Sequence, residues 1–125
     1  MLEFVAVFVG GGLGSIIRFG LSQFIPRGAG DIHWATFATN MVGALLIGFL
    51  FHMALKLEPH GALKAGLMAG LLGGLTTFST FSLELLELLR EERVMQAFLY
   101  GLLSLVLGLV ACAAGWLLAR QMVGP

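Results

Sequence analysis

Hydrophobic residues run through this chain in four long blocks, with turn-forming and charged residues gathered between them. The blocks cover about Glu3–Ile25, Trp34–Leu55, Ala62–Leu89 and Met95–Met122. Each reaches the roughly 20 mostly apolar residues that a membrane-spanning helix needs. The gaps are Pro26–Asp31, Lys56–Gly61 and Arg90–Arg93, rich in breakers and charge. The pattern predicts an all-α integral membrane protein, a single four-helix domain over residues 1–125. The third block is too long for one plain span, since about 28 residues at 1.5 Å each reach roughly 42 Å. Either it protrudes or it is interrupted. Gly73, Gly74, Thr76 and Thr77 are poor helix formers, so a break is expected at Gly73–Thr77. In lipid a helix breaks only where the freed backbone groups find protein, ions or a water-filled cavity. A kinked helix packing closely through its glycines is the plainer alternative.

Polar residues inside the blocks add the next layer. The first helix places Gly11, Gly14 and Ser15 on one face with Arg18 and Ser22. Small residues at such spacing let helices approach closely. Arg18 either snorkels to the surface or is a paired or cavity-facing cation that attracts anions. A phosphate-loop reading of Gly10–Ser15 fails for want of a preceding strand and a βαβ context. The second helix has Thr36, Thr39 and Asn40 early. Asn40 is the costliest of these at membrane depth. It either bonds a neighbouring helix or offers its N–H to a dehydrated anion. Past the expected break, Phe78 and Phe81 share a face one turn apart, beside a polar stripe of Thr77, Thr80 and Glu84. For the phenylalanines, ordinary packing is the alternative. A carboxylate inside an apolar block is a functional candidate by default, unless Glu84 lies at the membrane surface with Glu87 and Arg90. The fourth helix carries Gly101, Ser104, Gly108, Ala111 and Gly115, a small-residue stripe that must meet another helix or a pore. Tyr100 adds a hydroxyl near one end, and Arg120 sits toward the other interface.

Composition agrees: 58% hydrophobic and 11% charged residues, with a mean hydropathy of +0.97, exclude an ordinary soluble domain. The formal charge of zero removes any electrostatic case for nucleic acid. The lone Cys112 reads as a buried structural thiol. His33, His52 and His60 fall near predicted membrane boundaries without metal-ligand spacing and read as interfacial. The N-terminus lacks the features of a cleaved signal peptide, so the first block is expected to remain as a helix. Lys and Arg barely choose an orientation: Lys56, Lys64 and Arg120 lie on one side, Arg27, Arg90 and Arg93 on the other, with Arg18 nearer the second. That balance suggests insertion both ways and pairing as an antiparallel homodimer.

Three motifs carry a family resemblance. They are Gly11–Phe19 in the first helix, Thr39-Asn40-Met41-Val42-Gly43 in the second, and Gly73–Ser82 in the third. In these the chain resembles the small bacterial fluoride channels of the CrcB/Fluc family, over its whole length. Ser15 stands where that family often has alanine, and Phe19 where it often has tyrosine. The resemblance implies a dual-topology homodimer in the bacterial inner membrane, with two antiparallel pores. It implies a structural Na+ at the dimer centre, held by the backbone carbonyls of Gly73 and Thr76. It also implies a fluoride path along Phe78 and Phe81, with Asn40, the hydroxyls of Ser79, Thr80, Ser104 and Tyr100, and Glu84 beside it.

The residue types suit that chemistry. Hydroxyl and amide donors can replace the water of a small, strongly hydrated anion. Aromatic rings are positive at their edges, so two phenylalanines can meet an anion edge-on. Carbonyls freed at a helix break are sodium ligands. The expected function is passive, fluoride-selective export, with no enzymatic activity. A proton-coupled exporter of the small multidrug-resistance type is the runner-up, although the first helix has no acid at its middle. A structural subunit of a larger complex would leave the Thr-Thr-Phe-Ser-Thr-Phe run unexplained.

Overall fold

A computed structural model of the protein describes residues 1–25 and 33–124. The loop expected over Pro26–Asp31, with Arg27 of the charge count, lies outside the described residues. Four helices are long and apolar enough to cross a membrane: Leu2–Phe24, Trp34–Leu57, Gly61–Arg90 and Val94–Val123. We label the first two α1 and α2 and the last α5. The third span is in two pieces. Its first piece, α3, covers residues 61–75: a helical turn at Gly61–Lys64, a widened π-helical stretch at Ala65–Leu72 and a last turn at Gly73–Leu75. Its second piece, α4, is Phe78–Arg90.

The break is real but narrower than the sequence suggests. The helix continues through Gly73 and Gly74, and only Thr76 (φ −84°, ψ 155°) and Thr77 (φ −150°, ψ 121°) are extended. Gly74 stays helical with its bare backbone against Gly11 of α1, while Gly73 faces open space and continues the same turn. Gly66, Gly70 and Gly74 are four apart and all face α1. A π-helical turn is wider than the α-helix's 3.6 residues, which brings every fourth residue closer to alignment.

Close backbone approach organises both main contacts. α1 lies along α3, and α2 lies along α5. A methyl group added at Gly10 would overlap Gly66 O, one at Gly14 would overlap Leu71 O, and one at Gly74 would overlap Gly11 O. Between α2 and α5 the same holds for Gly48 against Cys112 O and Gly115 against Leu45 O. Lipid tails are as apolar as leucine, so such close van der Waals contact, and not hydrophobic exclusion, holds spans together. The small-residue stripe of α5 is therefore divided: Gly115 and Gly108 meet α2, while Gly101 meets Leu85 of α4. Cys112 is half-buried, not buried as expected, because its backbone and not its thiol forms the contact. Leu88, Ala97 and Tyr100 form a small core where α4 meets α5.

Turns are tight and locally explained. α2 ends on Glu58 in the left-handed region (φ 44°), ahead of Pro59, which cannot continue a helix. α4 and α5 are separated by Glu91, Glu92 and Arg93, with Arg93 N–H donating back to Leu88 O at 2.9 Å. Large apolar side chains such as Phe8 (82% exposed) and Phe24 (86%) point outward, as lipid-facing residues do.

Candidate functional site

The break is held by one side chain. Asn40 accepts a hydrogen bond from Thr77 N–H at Oδ1 (2.9 Å) and donates from Nδ2 to Thr77 O (3.2 Å). Its amide thus pairs with Thr77 as a neighbouring strand would. The interhelical bond foreseen for Asn40 is present, and the second hydrogen on Nδ2 has no acceptor among the described residues. Thr77 then caps α4, its Oγ1 accepting from Thr80 N–H at 3.2 Å, the usual service of an N-cap threonine. The Thr76 hydroxyl donates back to Leu72 O at 2.8 Å.

Two carbonyls are freed by this arrangement. The helical partner of Gly73 O would be Thr77 N–H, which goes to Asn40 instead. The partner of Thr76 O would be Thr80 N–H, which goes to the Thr77 hydroxyl. Neither carbonyl has another donor among the described residues. Arg18 takes the carbonyl between them in sequence: its Nε donates to Gly74 O at 3.1 Å. The guanidinium is therefore neither snorkelling nor free, but capping a helix C-terminus, where a cation is favoured. Asn40, Gly73, Thr76, Thr77 and Phe78 line a cavity of about 400 Å³ that opens to the outside of the chain.

Aromatic rings lead away from that cavity. Phe78 is 80% exposed, and its ring centroid is 6.0 Å from that of half-buried Phe81. Phe81 meets the buried Tyr100 at 5.3 Å, inclined at 62°. The row ends at Glu84, which is 3% exposed. The Glu84 carboxylate accepts from Thr36 Oγ1 (2.5 Å) and from Tyr100 OH (2.8 Å), both charge-assisted and strong. His33 Nδ1 lies 3.3 Å from its Oε1. Thr80, Glu84, Glu87, His33, Thr36 and Ser22 border a second cavity of about 320 Å³.

Most of the expected site residues therefore fall along one track. Asn40, Gly73, Thr76 and Phe78 share the first cavity, Phe81 and Tyr100 join it to Glu84, and Thr80 borders the second cavity. Ser79 is exposed, its hydroxyl 3.3 Å from that of Thr77. Ser104 stands apart from these contacts, with a buried Oγ that has no partner among the described residues. Glu84 is buried, while Glu87, which meets the other nitrogen of His33, is partly exposed. Two contributors were missed. Thr36 was legible, one turn before Asn40 on the same helix face. His33 had been assigned to the interface, and nothing local to it points to a carboxylate 51 positions later. His52, near the other end of α2, is 4% exposed, with its Nε2 3.0 Å from Gly124 O and its ring edge-on to Trp116.

Four membrane-capable helices make this a multi-pass membrane protein. One span is broken by extended backbone, with the Asn40 amide, threonine hydroxyls and two carbonyls without helical partners around one cavity, an interruption of the kind that ion-handling membrane proteins use. Comparison with known proteins narrows the class. The profile of the family described as "CrcB-like protein, Camphor Resistance (CrcB)" matches residues 5–116, and the chain belongs to the CrcB family. Its relatives include the fluoride-specific ion channel FluC of Azotobacter vinelandii, 46% identical over 93% of this chain and 95% of that protein. Fluoride-specific ion channel FluC 1 of Staphylococcus epidermidis is 41% identical, over 91% and 93%. FluC of Thermus thermophilus is 38% identical, over 98% and 97%.

Proposed function

We propose that this protein is a fluoride-selective channel that lets the anion leave the cell passively. The observation that carries this reading is the track from the Asn40 cavity along Phe78, Phe81 and Tyr100 to Glu84, in a chain whose relatives are fluoride-specific channels. Every polar group on it other than Glu84 is a neutral amide or hydroxyl, able to replace water around a small anion without trapping it. A membrane potential negative inside drives the anion out, at about 2.3 kcal/mol per charge per 100 mV, so no fuel is required.

The break also fits a structural sodium ion. The carbonyls of Gly73 and Thr76 are the hard oxygen donors such an ion takes, and both are left without helical partners. Two carbonyls are too few for an alkali cation, so a second copy related by a two-fold axis would supply the other pair. The open cavity and exposed Phe78 on this face support an antiparallel homodimer, as does the balance of Lys and Arg. Bound there, the ion would tie the two breaks together.

The test is fluoride efflux from liposomes holding the purified protein, read with a fluoride electrode, with valinomycin clamping the potential and chloride as comparison. Fast efflux of fluoride but not chloride, lost in Phe78→Ile, is expected. Silence from folded protein with sodium present would overturn the reading.

A further inference from the structure

His33 stands just before α2, and both of its ring nitrogens meet carboxylates. Nδ1 is 3.3 Å from Glu84 Oε1, and Nε2 is 3.6 Å from Glu87 Oε2. A neutral imidazole has one donor and one acceptor, so one of its nitrogens would turn a lone pair toward a carboxylate oxygen. The imidazolium instead presents an N–H and a positive charge toward both carboxylates. The same three residues border the 320 Å³ cavity, with Ser22, Thr36 and Thr80. Thr36 and Tyr100 give Glu84 hydroxyl hydrogens but no balancing charge. Among the described residues, the groups facing His33 are Glu84 and Glu87 from α4, with Tyr100 of α5 behind Glu84. α1 brings Ser22 and Ile25 to the cavity and no titratable group among the described residues.

An anion in this cavity therefore meets two carboxylates and one histidine. Like charges at such separations repel strongly in a partly buried site, so the charge on the imidazole decides how readily the anion enters. Imidazole is the side chain whose ordinary charge change falls between about pH 5 and 8. We infer that His33 is the charge-balancing residue of this cavity, and that fluoride passes fastest when the imidazole carries its second proton. The inference rests on the fluoride-channel reading and makes conduction rise as pH falls.

The experiment is fluoride efflux from liposomes in steps between about pH 5 and pH 8, pH 6 and pH 8 included, equal on both sides, with protein-free liposomes subtracted for leakage of the neutral acid. The wild type is expected to run roughly five- to tenfold faster at pH 6, the order expected from neutralising one nearby charge. His33→Gln keeps a hydrogen-bonding group that cannot take the proton, and is expected to run at one rate at both values. Glu87→Gln removes one of the carboxylates that favour the imidazolium and is expected to move the midpoint to lower pH. Size-exclusion profiles check folding, and Glu87→Gln carries the test alone if His33→Gln does not fold, an unmoved midpoint then overturning the inference. Equal wild-type rates at the two pH values, or a wild-type slope retained in folded His33→Gln, would overturn the role of His33 and leave the channel standing. No wild-type efflux at either pH would overturn both.

Discussion

Residues 61–75 and Phe78–Arg90 belong to one apolar block, yet α3 presents backbone to its neighbour while α4 presents side chains. On α3, Gly66, Gly70 and Gly74 lie directly on the backbone of α1. On α4, Phe81, Glu84 and Leu88 reach α2 and α5 through rings, hydroxyls and a carboxylate. The two halves differ in what they can tolerate. Backbone contact leaves no space for an added atom and no flexible side chain to move aside. Side-chain contact leaves room for chemistry, because each polar atom is placed by partners that can be exchanged singly. Asn40 separates the two regimes by taking the N–H and C=O of Thr77 out of the helix.

The comparison breaks first at the glycine seam. Gly14→Val would drive a branched side chain into Leu71 O and Leu75 N, and about 3 kcal/mol or more of destabilisation is expected. The readout is thermal unfolding in detergent and recovery of a monodisperse peak; a variant as stable as wild type would mean that α1 and α3 are not in backbone contact. Next comes the divider. Asn40→Leu strips Thr77 N–H and C=O of their partners, at roughly 1–3 kcal/mol for each unpaired group. Efflux should be lost while part of the fold survives. Unchanged stability would show that the break holds itself. The smallest effect on stability belongs to Phe78, which is 80% exposed. Phe78→Ala should alter stability by no more than about 0.5 kcal/mol while greatly reducing fluoride efflux. A large loss of stability instead would place Phe78 in packing, within the bundle or against a second copy of the chain.

Much of the fold was legible because lipid allows so few solutions. A block of apolar residues that long must be helical, and the third block's excess length left either a protrusion or an interruption, with Gly73–Thr77 as the place for the latter. The polar stripe of α4 was legible as well, since helical spacing alone puts Thr77 and Thr80 side by side, joined in the structure by a 3.0 Å hydroxyl contact. What escaped was which residue on a separate span each polar side chain meets. Gly73 and Gly74 read as breakers because propensity is a local quantity, whereas α1 packs against Gly74 and the turn runs on through both. His33 read as a boundary marker because its partners, Glu84 and Glu87, lie on another helix.

The sequence by itself determined the solvent, the number of spans, the place where one span fails and the family, since these follow from runs of residue types and contiguous motifs. Only the tertiary structure decided that Asn40 makes the break, that Arg18 caps it, and that Thr36, Tyr100 and His33 gather on Glu84. These contacts depend on how helices are rotated about their axes. That rotation is set by backbone-to-backbone fit along the glycine seams, a property of pairs of helices that no single stretch of chain contains.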